Sequence, residues 1–408
     1  MGCGLLGEKL GHSYSPQIHH ILGDYSYELF EKKPEELADF LENGHFSGLN
    51  VTIPYKKTVI PYCAELTERA KKLGAVNTIV RRSDGALIGH NTDFFGFSSM
   101  LRQFGMNPAG KKALVLGSGG ASNTAVAVLE DMGANVIVIS RSGENNYSNI
   151  EKHYDAALIV NATPVGMYPK TGCTPLPLDG FYRLEGVLDL IYNPARTQLL
   201  LDAEKAGIPC MNGLWMLVAQ AWESAQLFAN TTLEEYMIAA IHDLLTKQTE
   251  NLVLIGMPGC GKSTIGKKVA HALGKRFVDA DVEIERASGC SIPELFEQRG
   301  ENGFRELETK VLSDLGKRSE LVIATGGGCV TRQENYSSLH QNGRIIWIQR
   351  DISQLSVEGR PLSQNGKLEQ MYRLREPMYQ SFADHTVKNN GTPQQAADLI
   401  LTLLEASQ

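Results

Sequence analysis

Residues 251–270 read NLVLIGMPGCGKSTIGKKVA. An apolar run enters a glycine-rich turn that closes on Lys262-Ser263, and helix-forming residues follow. The spacing Gly256-x-x-x-x-Gly261-Lys262-Ser263 is that of a phosphate-binding loop in its proper setting, after a strand and before a helix. Gly256, Gly259 and Gly261 let backbone N–H groups turn toward phosphates, with Cys260 and Thr264 in the same turn, and the helix start adds its dipole. Lys262 is placed to reach the β- and γ-phosphates and Ser263 to ligate a metal, so ATP and Mg²⁺ are the implied cofactors. Such loops usually follow the first strand of their domain, yet about 250 residues precede this one.

Downstream, RFVDADVEIE (276–285) carries Asp279 and Asp281, which alternate on one face of a strand end. One can serve the metal while the other holds or deprotonates an acceptor hydroxyl; a solvated pair of strand-end acids is the alternative. The apolar run LVIATGGG (321–328) ends without the aspartate that a metal often takes from a second strand.

From the phosphate loop to the end, the chain resembles shikimate kinase. The loop, the D-x-D pair, GENGFRELE (300–308), TGGG (325–328), RPL (360–362) and LREPMYQSFAD (374–384) follow in that family's order. The resemblance implies Asp281 on the substrate hydroxyls, Asp279 near Mg²⁺, and Arg305 and Arg375 on the substrate carboxylate. It also implies Gly326, Gly327 and Gly328 against the ring, and Arg360 on a lid over the transferring phosphoryl group. Two guanidiniums suit a carboxylate through bidentate pairing, and a lid arginine meets charge developing on phosphoryl oxygens. Glu308, one turn after Arg305, is placed to hold that arginine. One departure is that RDISQLSVEG (350–359) lacks the arginine that many relatives pack on adenine.

Before the phosphate loop lies a second glycine turn, GSGGAS (117–122), after the apolar run ALVLG. A strand, a turn of Gly117, Gly119, Gly120, Ala121 and Ser122, and a helix form a dinucleotide loop. The next strand, NVIVISRS, ends in Ser140-Arg141-Ser142. A carboxylate there would favour a ribose 2′-hydroxyl; a cation suits a 2′-phosphate, so NADP(H) is expected over NAD. NVTIPYKK (50–57) offers Lys56, and HNTD (90–93) offers Asp93. A lysine–aspartate pair can protonate a carbonyl oxygen as hydride reaches its carbon. Taken singly, Lys56 also reads as an exposed cation and Asp93 as a helix N-cap. His19-His20 has no companion ligands at zinc spacing and reads as a helix-surface feature.

Residues 1–245 resemble shikimate dehydrogenase through GHSYSP, NVTIPYK, GAVNT, NTD, the glycine loop, NATPVGM, DLIYNP and GLWMLVAQA, in order. That implies Ser13, Ser15, Thr52, Asn77 and Gln220 on substrate hydroxyls and carboxylate, with Lys56 and Asp93 catalytic. It also implies Tyr192 at the substrate, Asn161 and Thr163 near the cofactor, and Gly213 and Met216 close to the nicotinamide.

The expected fold is α/β throughout, with parallel sheets. A substrate domain spans 1–105 with 211–245, a Rossmann domain 106–210, a polar linker 246–251 and a P-loop kinase domain 252–408. The chain has 408 residues, 42% apolar and 21% charged, with net charge −7, which gives no general attraction to nucleic acid or anionic lipid. Seven cysteines without a C-x-x-C pair suggest free thiols, and no membrane span or signal segment is evident, so a cytoplasmic enzyme of small molecules is expected. The sequence sets no oligomeric state. The expected activities are reduction of 3-dehydroshikimate with NADPH and phosphorylation of shikimate with ATP. The alternatives are an NAD-dependent quinate/shikimate dehydrogenase in the first half, or one half acting as a binding module without turnover.

Overall fold

The computed structural model describes residues 2–11, 13–355 and 367–406, so Arg360 lies outside the described residues. The chain divides into two compact units: Met1–Met167 with Cys173–Asn193 and Leu199–Leu245, and Tyr168–Gly172 with Pro194–Gln198 and Thr246–Gln408.

The first unit contains two sheets. One is built from β1 (Gly2–Gly7), β2 (Tyr27–Glu31), β3 (Phe46–Val51), β4 (Glu65–Leu66), β5 (Thr78–Arg81) and β6 (Leu87–His90) in the order β2-β1-β3-β5-β6-β4. This sheet is mixed rather than parallel as expected: β5 runs antiparallel to both β3 and β6. The cause is local. Residues 82–86 join β5 to β6 through a tight turn with Gly85 at φ +88°, too short for the crossover a parallel pair needs.

The second sheet holds β7 (Lys112–Leu116), β8 (Asn135–Ile139), β9 (Leu158–Asn161), β10 (Gly186–Asp189) and β11 (Cys210–Met211), all parallel, in the order β11-β10-β9-β7-β8. All four residues of β9 and of β10 are buried, as strands covered on both faces must be. The order reverses between β7 and β9, so a crevice opens beyond their carboxyl ends, where the glycine turn and the Asn161–Thr163 turn emerge. Helix Asp93–Phe104 packs on helix Leu214–Ala229. The two come close because a Cβ on Gly96 would sit 2.8 Å from the Met216 carbonyl oxygen and 3.0 Å from Gln220 Cβ.

The second unit carries one parallel sheet: β12 (Asn251–Ile255), β13 (Arg276–Asp279), β14 (Leu321–Ala324), β15 (Gly343–Gln349) and β16 (His385–Lys388), ordered β13-β14-β12-β15-β16. The phosphate loop leaves the carboxyl end of the central strand and enters helix Lys262–Leu273. No extended linker precedes it. Helix Tyr236–Thr249 runs through the segment expected to be one, and β12 starts at Asn251. Lys275 Nζ donates to the carbonyls of Lys247 (2.8 Å), Gln248 (2.9 Å) and Glu250 (2.5 Å). An ammonium thus satisfies the orphan acceptors of the last turn and extends the helix past its apolar period.

Candidate active sites

In the first unit a cavity of about 340 Å³ opens beside the glycine turn. Ser13, Ser15, Thr52, Lys56, Asn77, Asp93, Tyr192, Gly213, Met216 and Gln220 all line it, as does Ala121. Lys56 follows β3 and Asp93 starts the helix after β6, with Thr92 rather than Asp93 at its N-cap. Lys56 Nζ lies 2.5 Å from Asp93 Oδ2.

Behind this pair the amides are fixed by one another. Asn77 Oδ1 accepts from Thr92 N (2.7 Å) while Asn77 Nδ2 donates to Thr92 Oγ1 (3.0 Å). The Gln220 amide donates to the Leu217 carbonyl at 2.9 Å. Asn50, which the sequence reading passed over although it opens the NVTIPY motif, also lines the cavity. Its Oδ1 accepts from Tyr27 Oη (2.7 Å) and its Nδ2 donates to Thr78 Oγ1 (3.1 Å). Such bonds preset the side chains before any ligand arrives.

His19 is not a surface residue. It is fully buried, stacked on Tyr27 with ring centroids 4.0 Å apart, and burial pushes its pKa down to about 3, so it is neutral. Glu223, one turn after Gln220, pairs with Arg69 at 2.9 Å. Burial, with the nearby Asp93 charge, raises its carboxyl to about 7 despite the arginine.

The dinucleotide turn divides into scaffold and open surface. Gly117 has φ +107°, and a Cβ there would lie 3.1 Å from Thr163 Cγ2. A Cβ on Gly119 or Gly120 would meet nothing, so both expose backbone to an approaching phosphate. Ser122, expected at the cofactor, turns inward and donates to the Gly117 carbonyl at 2.7 Å. Asn161 is fully buried: its Nδ2 donates to Asp189 Oδ1 (3.0 Å) and its Oδ1 accepts from Thr163 N (3.0 Å) and Thr163 Oγ1 (2.7 Å). Asn161 therefore shapes the turn. Arg141 and Ser142 stand exposed beyond β8, next to half-buried Ser140. A turn with open backbone N–H groups and a free cation at the next strand end fits a dinucleotide bearing an extra phosphate.

In the second unit a cavity of about 840 Å³ contains Gly259, Gly261, Lys262, Ser263, Thr264, Asp279, Asp281, Arg305, Gly326, Gly327, Gly328 and Arg375. Gly256 and Cys260 are buried beneath it. Lys262 Nζ folds back onto its own loop, donating to the carbonyls of Gly256 (2.8 Å) and Met257 (3.0 Å). Asp279 and Asp281 do not share a strand face. Asp279 ends β13 and caps helix Ala280–Ser288, its Oδ1 accepting from Asp281 N at 3.1 Å. The aspartate's short side chain competes for the helix N–H groups and ends the strand. Its other oxygen, Oδ2, lies 2.6 Å from Ser263 Oγ.

That hydroxyl–carboxylate pair is a hard-oxygen donor set suited to Mg²⁺. Among the described residues no group of three or more His, Cys, Asp or Glu side chains is placed to hold a metal ion. Burial raises the Asp281 pKa, Asp279 adds to the rise, and Lys262 and Arg305 oppose it.

Arg305 is buried and bonded to Glu308 at 2.6 Å. The glycine triplet makes room for these charges. A Cβ on Gly328 would lie 2.1 Å from Arg305 Nη2, and one on Gly326 2.8 Å from Glu308 Oε1 and 2.9 Å from Asp281 Oδ1. Arg375 Nη1 and Tyr379 Oη both donate to the Gly327 carbonyl, the former at 3.1 Å. Arg350, Asn389 and Pro393 line the same cavity and were missed; no motif marks them.

The folds and their sites define two nucleotide-using α/β enzymes in series, a Rossmann-type oxidoreductase and a P-loop phosphotransferase. Residues 5–79 match the shikimate dehydrogenase substrate-binding domain, and residues 258–405 match shikimate kinase. The NADP⁺ shikimate dehydrogenase of Clostridium beijerinckii is 33% identical over 60% of this chain and 98% of its own length. A chorismate mutase/shikimate 5-dehydrogenase fusion from Clostridium acetobutylicum superposes with TM-score 0.57 and 36% identity, over 60% of this chain and 96% of that one. The Thermus thermophilus shikimate 5-dehydrogenase, solved with NADP(H) and shikimate, gives TM-score 0.55 and 29% identity, over 60% and 99%. The chain belongs to the shikimate dehydrogenase family and carries a shikimate kinase domain after it.

Proposed function

We propose that residues 1–245 reduce 3-dehydroshikimate to shikimate with NADPH, and that residues 252–408 transfer the γ-phosphoryl group of ATP to that same shikimate oxygen. The observation that carries this reading is the Lys56–Asp93 pair at 2.5 Å, in a cleft lined by hydroxyls and amides beside a dinucleotide turn. Ser13, Ser15, Thr52, Asn77 and Gln220 supply directional bonds to ring hydroxyls and the carboxylate. Tyr192 lies at the substrate end, and Gly213 and Met216 line the cavity on the nicotinamide side. Lys56 holds a proton at Nζ for the substrate carbonyl oxygen, and Asp93 orients that ammonium. When bound, the reduced nicotinamide supplies the hydride. Arg141, with Ser140 and Ser142, binds the 2′-phosphate.

In the second unit Arg305 and Arg375 take the substrate carboxylate. Glu308 fixes the first of these, and the Gly327 carbonyl orients the second. Asp281 holds the acceptor hydroxyl, whose proton moves late in a loose phosphoryl transfer. Lys262 leaves its own loop carbonyls for phosphate oxygens. Mg²⁺, when held by Ser263 and Asp279, neutralises phosphate charge. Arg360 completes the set by sequence alone. Because the ketone at position 3 becomes the hydroxyl phosphorylated at position 3, the oxygen protonated at Lys56 is the one that later attacks phosphorus. None of the seven cysteines forms a disulfide, which supports a reducing, cytoplasmic setting.

The test is substrate and cofactor choice in the oxidative direction. Shikimate with NADP⁺ should be turned over much faster than quinate with NAD⁺. The reverse order would assign the first half to quinate.

A further inference from the structure

The amides that line the cavity of the first unit are joined behind it by one chain of hydrogen bonds that runs in a single direction. Tyr27 Oη donates to Asn50 Oδ1 (2.7 Å), Asn50 Nδ2 to Thr78 Oγ1 (3.1 Å), and Thr78 Oγ1 to Asn77 Oδ1 (3.2 Å). Asn77 Nδ2 then donates to Thr92 Oγ1 (3.0 Å), Thr92 Oγ1 to Gln220 Oε1 (3.4 Å), and Gln220 Nε2 to the Leu217 carbonyl (2.9 Å). Sheet register sets the middle of the chain. Asn50 on β3 and Thr78 on β5 are directly opposed partners, so their side chains share a face. Asn50, Asn77 and Gln220 line the cavity, and Thr78 and Thr92 stand buried behind them.

A hydroxyl has one proton to give, so the direction of each link constrains the next. Asn77 shows the consequence. Its Oδ1 has two lone pairs, one taken by Thr92 N at 2.7 Å and the other by Thr78 Oγ1. One of its two N–H groups goes to Thr92 Oγ1. What Asn77 has left for a ligand is a single N–H. Turning the amide over would set its NH₂ group against Thr92 N, itself a donor, and would lose buried bonds on both sides.

We infer that Thr78 is a positioning residue of the dehydrogenase half: its hydroxyl holds Asn77 with an N–H toward the cavity, so this wall takes a substrate oxygen as acceptor and turns away a group that can only donate. The inference rests on the reading of the cavity as the site for 3-dehydroshikimate and shikimate. A keto oxygen only accepts and a hydroxyl oxygen can also accept, so one fixed N–H serves substrate and product alike.

The experiment is steady-state kinetics of the full chain with shikimate and NADP⁺. Thr78→Val keeps the branched shape and removes the hydroxyl. It should raise the KM for shikimate about 5- to 10-fold, the scale of one buried hydrogen bond, and leave the KM for NADP⁺ unchanged. Thr78→Ser, which keeps the hydroxyl and loses the methyl, should stay close to wild type. An unchanged KM for shikimate in Thr78→Val, equal rises for both ligands, or a Thr78→Ser variant as impaired as Thr78→Val would overturn the assignment. If Thr78→Val does not fold, Tyr27→Phe carries the test, since it removes the first donor of the chain and keeps the ring stacked on His19. A raised KM for shikimate with that for NADP⁺ unchanged supports the chain, and an unchanged KM for shikimate contradicts it. Wild-type protein that does not oxidise shikimate with NADP⁺ would instead overturn the reading of the cavity, and this inference with it.

Discussion

Lys56 Nζ and Asp93 Oδ2 lie 2.5 Å apart, with the lysine side chain 26% and the aspartate side chain 14% exposed. They follow β3 and β6, strands that run the same way, so both leave the same end of the first sheet, 37 residues apart in sequence, and line the cleft beside the glycine turn. A half-shielded ion pair does little for stability; under the proposed function it serves proton transfer. Lys56→Ala and Asp93→Asn should each lower dehydrogenase kcat by about 10²–10⁴-fold, the usual scale for a lost acid or base. ATP-dependent phosphorylation of supplied shikimate should persist in both. Steady-state assays of the two reactions on one preparation check this.

Gly328 faces Arg305 at a distance no Cβ tolerates. Gly328→Ala should displace the guanidinium from its bond with Glu308 and raise the kinase KM for shikimate by about tenfold or more, the scale of a lost charge-assisted bond. ATP affinity should hold. A loss confined to ATP affinity would mean that the triplet serves the nucleotide.

How much of this was legible in the sequence depends on what each residue answers to. The phosphate loop was legible because its spacing and residue types restrict it to a few chemistries, whereas Lys56, Asp93 and the arginines, ambiguous one by one, were picked out only by the order of the motifs around them. The mixed first sheet was not, because strand direction follows from the connections, as in the short 82–86 turn between β5 and β6, and not from strand composition. Asp281 was read with Asp279 on one strand face, since a D-x-D pattern cannot say where the chain turns into a helix; it lies in the first turn of helix Ala280–Ser288. His19 was read as exposed because its burial comes from Tyr25, Tyr27 and Phe228, which pack around it only in the fold. Ser122 and Asn161 look like ligand contacts in sequence and turn out to brace the loops that carry the contacts.

Glu223 links pH to stability. Its folded pKa of about 7 lies above the ordinary value of 4.5 because burial disfavours the charged form. The favourable contribution of the neutral carboxyl is therefore complete below pH 4.5 and lost as pH rises through about 7. Glu223→Gln should flatten that decline, so the variant gains on wild type most clearly above pH 7. Denaturant melts of the first unit at pH 5 and pH 8 measure it. An equal offset at both pH values would show that the group does not titrate in that window.

Arg141 stands exposed beyond β8. Arg141→Ala should raise the KM for NADP⁺ by about tenfold while changing that for NAD⁺ little, since a surface cation to phosphate bond is worth roughly 1.5 kcal/mol. Initial rates with the two cofactors decide it.

Lys275 holds the last turn of helix Tyr236–Thr249 by three carbonyls. Lys275→Met leaves those acceptors without their charge-assisted donor and should cost the second unit about 2 kcal/mol. Kinase activity should then be lost at lower temperature than in wild type, while dehydrogenase activity measured in the same heated samples falls as before.

The central claim is that one chain carries out both reactions in sequence. The direct measurement is a single incubation of the purified protein with 3-dehydroshikimate, NADPH and ATP·Mg²⁺, followed by mass spectrometry, beside Lys56→Ala and Lys262→Ala. The account predicts shikimate 3-phosphate from wild type, shikimate accumulating with Lys262→Ala, and neither product with Lys56→Ala. Wild type that stops at shikimate, or that never consumes NADPH, would contradict it.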